Sequence, residues 1–189
     1  MESIIEGAAY KFGDNINSDI IIPGRYLIHI DAKTLSQHAF EVLGPEVPAK
    51  LRGFPILVAG RNFGCGSARE QAATAIQGLG IKAVIACSFA RTFYRNAIND
   101  GLPIMECPEL YPFVNEGDSV RIDLEAGVIH HGGKVYPFPK MPESVREILE
   151  RGGINVQFRE RKGDQINAAC GQLRRSTPSV VQLSVPSPT

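Results

Sequence analysis

The chain has 189 residues, 43% of them hydrophobic, with 20 basic and 20 acidic side chains and no net charge. That length suits one domain with a tail, and there is enough apolar material for a real core. The charge balance excludes broad electrostatic binding to nucleic acid or to an anionic membrane, although a local basic cluster could still hold a small anion. No apolar run approaches the roughly 20 residues of a membrane helix. The first residues carry Glu2 and Glu6 and lack the apolar centre of a signal peptide, so the expected location is the cytoplasm.

In chain order, Glu2 to Phe12 reads as an opening strand, followed by loop chemistry from Gly13 to Asp19. The apolar run Ile20-Ile21-Ile22 is stopped by Pro23-Gly24. A helix is predicted from Ala32 to Leu43, with Asp31 as its N-cap and Gly44-Pro45 as its stop. Phe54 to Ala59 is an apolar run of strand length. The Gly-rich turn Gly60–Gly66 follows, and then a helix for which Ser67 looks like the N-cap, with Glu70 completing a capping box. Ala72, Ala75, Ile76 and Leu79 recur at helical spacing up to Gly80.

Ala83 to Cys87 is a second buried strand. Ser88 would cap a helix that shares Phe89, Phe93 and Ala97 on one face, and Gly101 ends it before a third strand, Leu102 to Cys107. Strand–helix–strand–helix–strand with short links implies a parallel sheet of right-handed crossovers. Ligands bind such sheets beyond the carboxyl ends of the strands, where the Gly60–Ser67 turn falls. From Ser119 the pattern becomes alternating, with further short strands at Val128-Ile129 and Val135-Tyr136, which suggests a small antiparallel or barrel-like portion. A last helix should run from Pro142 to Arg151. Ser176 to Thr189 is rich in Ser and Pro and reads as a disordered tail.

The segment Gly64-Cys65-Gly66-Ser67-Ala68-Arg69-Glu70 carries the chemistry. Glycines allow close backbone approach to a ligand, and a helix start aims N–H groups at the same space. Arg69, in what would be the first helical turn, is disfavoured there by the dipole, which points to an anion such as a carboxylate held by its planar fork. Ser67 has two readings, a plain N-cap or a hydroxyl in an anion pocket. Cys65 reads as a small packing residue or an oxidation-sensitive thiol. Cys65, Cys87, Cys107 and Cys170 form no Cys-x-x-Cys pair and have no histidine at finger-like spacing, which argues against a metal or cluster site held by this chain alone. The glycine spacing and the missing downstream acid argue against a dinucleotide-binding oxidoreductase.

The stretch Gly60-Arg61-Asn62-Phe63-Gly64-Cys65-Gly66-Ser67-Ala68-Arg69-Glu70-Gln71-Ala72 resembles the signature of the aconitase swivel domain. In stand-alone form that domain is the small subunit of 3-isopropylmalate dehydratase and of homoaconitase. Gly13 to Pro23 resembles the family's N-terminal motif, and Ser88 to Pro103 its third block. The resemblance covers roughly residues 5 to 155. It implies an α/β fold, a swivel-like β/β/α three-layer domain with a parallel sheet core and a small barrel-like β portion. Residues 1–160 would form it, with 161–189 as a flexible C-terminal extension.

The same resemblance implies a reversible dehydration and rehydration of a hydroxy di- or tricarboxylate. A [4Fe-4S] cluster carried by a large subunit would act as Lewis acid, and this chain would bind none alone. Ser67 would be the catalytic base, Arg69 would bind substrate carboxylate, and Asp19 would belong to the hydrogen-bond network, with Gly66 and Ala68 also at the substrate. The loop Tyr26-Leu27-Ile28-His29 would face the variable part of the substrate. There Ile28 suits an apolar branch such as that of isopropylmalate, while His29 is either a loop histidine or a partner for a further carboxylate. Ala68 stands where many relatives carry a second serine, and Gln71 where some carry histidine. A homoaconitase-type or related 2-alkylmalate dehydratase and a non-catalytic carboxylate-binding module are the alternatives. Arg91 and Arg95 read as a solvated face or a contact to substrate or large subunit, and His130-His131 as surface residues in a turn.

Overall fold

Residues 3–67 and 69–154 are described by the structure, a computed structural model. Ala68, Cys170 and the expected extension 161–189 lie outside the described residues. β1 (Ile4–Lys11) is central because it serves two neighbours of opposite kind. On one side it runs parallel to β2 (Ile56–Ala59), with Ala9 opposite Ile56; on the other it runs antiparallel to β5 (Ser119–Asp123), with Ile5 opposite Ile122. With β3 (Ala83–Ala86), β4 (Ile104–Glu106), β6 (Val128–His131) and β7 (Lys134–Pro137), the sheet order is β4-β3-β2-β1-β5-β6-β7. The parallel core and the antiparallel portion are thus two halves of one sheet joined through β1.

Side-chain pattern follows position. β2 and β3 read Ile-Leu-Val-Ala and Ala-Val-Ile-Ala and are buried at every residue, as strands covered on both faces require. β5, Ser-Val-Arg-Ile-Asp, buries only Val120 and Ile122 because one of its faces meets solvent.

The helices are α1 (Ser18–Ile21), α2 (Ala32–Gln37), α3 (Val47–Leu51), α4 (Gln71–Gly78), α5 (Arg91–Asn99) and α6 (Glu143–Glu150). α2 packs on α4, α4 on α5 and α5 on α6. Asp31 caps α2 as expected, its carboxylate accepting from Thr34 N at 2.7 Å. The helix stops at Gln37, however, rather than reaching Leu43. Phe40 adopts a left-handed backbone (φ 61°), donates its N–H to Ile21 O at 2.9 Å, and stacks its fully buried ring on Phe12 at 4.7 Å. Burying that ring outweighs the ~1–3 kcal/mol such a backbone costs. The run Ile20–Ile22 belongs to α1 and its C-cap, and Asn17 caps that short helix by accepting from Ile20 N at 2.8 Å. Pattern reasoning missed α3. Ser88 is not a helix cap: α5 begins at Arg91 with Ala90 before it, and the Ser88 hydroxyl accepts from Asn62 N instead. No helix among the described residues is long and apolar enough to cross a membrane.

Asp100 ends α5, where a negative charge opposes the helix dipole. Its Oδ2 accepts from Thr74 Oγ1 at 3.3 Å, and Gln77 Nε2 donates to its carbonyl at 2.7 Å. Burial, with Glu70 nearby, pushes its carboxyl up to about 6. A folded-state value above the ordinary 3.8 means that the protonated form is favoured on folding, a contribution present at low pH and lost as pH rises through about 6. Asp100→Asn should therefore raise the melting temperature at about pH 8, and that gain should shrink towards zero as pH approaches 4. Thermal denaturation across that range checks the sign.

Candidate functional site

The three motif blocks come together beyond the carboxyl ends of β1, β2 and β3. The chain leaving β1 runs alongside the chain leaving β2: Gly60 N donates to Gly13 O at 3.1 Å, Asn15 N to Arg61 O at 2.8 Å, Gly64 N to Ile16 O at 2.7 Å, and Ser18 N to Cys65 O at 2.7 Å. The segment after β3 pairs on the far side, where Phe63 N donates to Ser88 O at 3.0 Å and Ala90 N to Phe63 O at 2.9 Å. Phe89 N is held by Glu106 Oε1 at 3.1 Å.

Polar side chains lock the turns. Asn15 (φ 57°) and Asn62 (φ 61°) both occupy the left-handed region, which asparagine tolerates, and Asn62 Nδ2 donates to Asn15 Oδ1 at 3.0 Å. Asp14 Oδ1 accepts from Arg61 N at 2.7 Å. Two glycines are required by contact. A Cβ on Gly60 would stand 2.0 Å from Asp14 Oδ1, and one on Gly64 (φ 76°) would stand 2.2 Å from Phe93 Cγ.

Ser67 is exposed on a bend and is not a helix cap. α4 begins at Gln71, Glu70 occupies the cap position without a side-chain bond, and the expected capping box does not form. Gly64 (φ 76°) and Gly66 (φ 94°) hold left-handed backbone, and Ser67 stands before the helix starts. Arg69 likewise precedes the first helical turn, and its counter-charge is internal. Its Nη1 lies 2.6 Å from Asp19 Oδ1 and donates to Ile22 O at 3.2 Å. The Arg69 side chain is 16% exposed while that of Asp19 is 59% exposed, so the guanidinium is anchored below a carboxylate that faces solvent. The dipole argument for an external anion is thereby corrected: Asp19 supplies the charge. Both of these contacts are made through Nη1.

The loop after the first motif begins beside that guanidinium. A Cβ on Gly24 would stand 3.6 Å from Arg69 Nη2. Gly24–Tyr26 forms a 3-10 turn; Tyr26, Leu27 and His29 are half-buried, and Ile28 is 82% exposed. The structure thus brings Asp19, Gly66, Ser67, Arg69 and the start of this loop to one end of the sheet. Arg91 and Arg95 are exposed on α5. His130 is exposed, but His131 corrects the surface reading: it lies in β6, 11% exposed, with Nδ1 3.2 Å from Ser119 O and Nε2 3.1 Å from Phe113 O.

Sequence reasoning missed Ser18, buried at 2% exposure beneath Gly66 with no hydrogen-bond partner for its hydroxyl among the described residues, and the pair His38 and Glu41. Cys65, Cys87 and Cys107 stand on separate segments, and burial pushes the Cys87 and Cys107 thiols up. No group of three or more His, Cys, Asp and Glu among the described residues is arranged to hold a metal.

A loop array of this kind on a mixed sheet has close counterparts. The profile of the Aconitase C-terminal domain family matches residues 14–109, and the chain belongs to that family. Within it, the chain is similar to stand-alone small subunits. It is 49% identical over 154 residues to the 3-isopropylmalate dehydratase small subunit of Nautilia profundicola, covering 80% of this chain and 92% of the relative. It is 45% identical over 166 residues to the isopropylmalate/citramalate isomerase small subunit of Methanocaldococcus jannaschii, covering 87% and 99%. The crystal structure of 3-isopropylmalate dehydratase from Methanocaldococcus jannaschii superposes with a TM-score of 0.73 at 46% identity, over 79% of this chain and 90% of that one.

The contact at Gly60 is testable. Gly60→Ala should destabilise the fold by about 1–3 kcal/mol, because the added Cβ overlaps Asp14 Oδ1 and crowds Asp14 N, and moving the carboxylate aside gives up its bond to Arg61 N. Adding Asp14→Ala should recover part of that loss by removing the overlapping oxygen. Denaturant unfolding of the two single variants and the double variant measures the coupling.

Proposed function

We propose that this chain is the small subunit of a two-subunit hydro-lyase of the 3-isopropylmalate dehydratase type. Such an enzyme interconverts 2- and 3-isopropylmalate by removing and re-adding water. The observation that carries the reading is the meeting of Ser67, Arg69 and Asp19 at one end of the sheet, on loops matching the family profile. On this reading Arg69 takes a substrate carboxylate with its planar fork. Asp19 holds the guanidinium in orientation. Ser67 Oγ removes the proton from the carbon beside that carboxylate and returns it in the reverse direction. Because Ser67 is not bound up in a helix cap, its oxygen is available for that transfer.

The [4Fe-4S] cluster is assigned to the large subunit, since the described thiols, Cys65, Cys87 and Cys107, stand on separate segments. Ile28 and its neighbours would meet the apolar branch of the substrate, which favours isopropylmalate over a tricarboxylate. A shorter branch, as in citramalate, is the second reading, because the name of the Methanocaldococcus relative includes it.

Mixing this chain with a cluster-bearing large subunit should give isopropylmalate dehydration that neither chain shows alone; no activity on any hydroxy dicarboxylate after cluster reconstitution would sink the proposal. Within that pair, Ser67→Ala should lower kcat by ~10² to 10⁴. Its stability should change by less than about 0.5 kcal/mol, as expected of an exposed residue that caps nothing. Arg69→Lys should raise KM, since an ammonium lacks the fork. A Ser67→Ala subunit with near-normal turnover would remove the serine from the chemistry.

A further inference from the structure

We infer that His38 and Glu41, which lie outside the substrate loop, are positioning residues that hold the 25–30 loop against Arg69 and thereby set the preference for an apolar branch. This inference rests on the functional reading above, in which Arg69 holds a substrate carboxylate. Any substituent on the carbon skeleton of such a substrate would meet the chain that starts at Gly24.

That chain has little structure of its own. Its internal bonds are those of a tight turn: Tyr26 N to Pro23 O at 3.0 Å, Leu27 N to Gly24 O at 3.3 Å and His29 N to Tyr26 O at 3.0 Å. It nevertheless presents Ile28 and Ile30 at 82% and 80% exposure, the most exposed large hydrophobic side chains among the described residues. Isoleucines so placed make sense where an apolar group arrives to cover them.

The loop is held from outside. The Tyr26 ring stacks on the His38 ring with centroids 3.8 Å apart and planes 7° from parallel. Arg25 lies over the Tyr26 ring at 4.8 Å and forms an ion pair with Glu41 Oε1. The other oxygen, Glu41 Oε2, lies 2.8 Å from His38 Nδ1. One carboxylate therefore ties the stacking partner to the loop. Burial alone would push the Glu41 carboxyl up, but the hydrogen bonds of His38, Tyr26 and Arg25 outweigh it and hold the group below its ordinary value, as a carboxylate.

The base of this clamp is rigid. Leu35, Ala39 and Phe40, which flank His38 and Glu41, are fully buried, and Phe40 stacks on Phe12. The position of the loop is thus set from the core through two side chains. Releasing them frees the loop while the core stays covered.

Two experiments test this. In the isolated chain, His38→Ala should speed amide hydrogen exchange across residues 25–30 at least several-fold while exchange in β2 and β3 stays unchanged; unchanged loop exchange would overturn the clamp. In the two-subunit enzyme, His38→Ala should lower the ratio of kcat/KM for 3-isopropylmalate to that for unbranched malate by about 10-fold or more, through KM, the scale of one mispositioned apolar contact. His38→Phe keeps the stack and should recover most of the ratio, whereas Glu41→Gln should give an intermediate loss. Equal losses on both substrates would show a merely structural role and sink the inference. If the wild-type pair turned over neither substrate, the functional reading would fall and take the specificity role with it, whatever the exchange data show.

Discussion

The parallel lacing of Gly13–Ser18 onto Gly60–Cys65 is the constraint on which the site depends. β1 and β2 pair in parallel, and their hydrogen bonds continue past the strands through two loops that would otherwise separate at the sheet edge. Each such bond adds only ~0.5–1.5 kcal/mol net. Their effect is cooperative, because each fixes the register of the next. Asn15 and Asn62 can hold left-handed turns because each is the other's partner, and Gly60 and Gly64 let side chains from neighbouring segments enter the space a Cβ would fill. Asp19 and Ser67, 48 positions apart in the chain, are thereby brought to one end of the sheet.

The Arg69–Asp19 pair follows from that lacing and has an asymmetric energetic character. Arg69 is mostly covered and Asp19 mostly exposed. Removing Asp19 would leave a covered cation with only a carbonyl partner, a costly state. Keeping it costs little, because the carboxylate remains hydrated. On the proposed reading, a second carboxylate arriving at the guanidinium would be received by a fork already oriented, so little ordering entropy would be lost on binding. Such preorganisation suits a substrate that must be released again in a reversible reaction.

Much of this could be read from the residues. The buried runs of β2 and β3, the helix ends at Gly80 and Gly101, and the alternating β5 all follow from periodicity and glycine placement. The failures share one cause. Ser67 and Ser88 have cap-like spacing, but tertiary bonds to neighbouring loops, invisible to local rules, decide where α4 and α5 begin. Phe40 breaks a helical pattern because a ring on another segment offers a better place than the next turn. The three motif blocks were legible as a group through resemblance, whereas the Tyr26–His38–Glu41 arrangement was not. It links residues of ordinary type across a loop, and neither periodicity nor motif marks it.

The exposure of the site explains why chemistry should need a second subunit. A serine hydroxyl surrounded by water is a poor base, since its conjugate alkoxide must be stabilised by groups that outcompete solvent. Ser67 and Ile28 lie in the open, and Asp19 is more than half exposed. Coulomb interactions there are damped by the high dielectric of water. On the proposed reading, a large subunit closing over this end of the sheet would exclude water, strengthen the field of Arg69 at Ser67, and cover Ile28 and Ile30 together with the substrate branch. The same closure that makes the serine a competent base would then make the loop a gauge of substrate shape, so activity and selectivity would depend on one docking event.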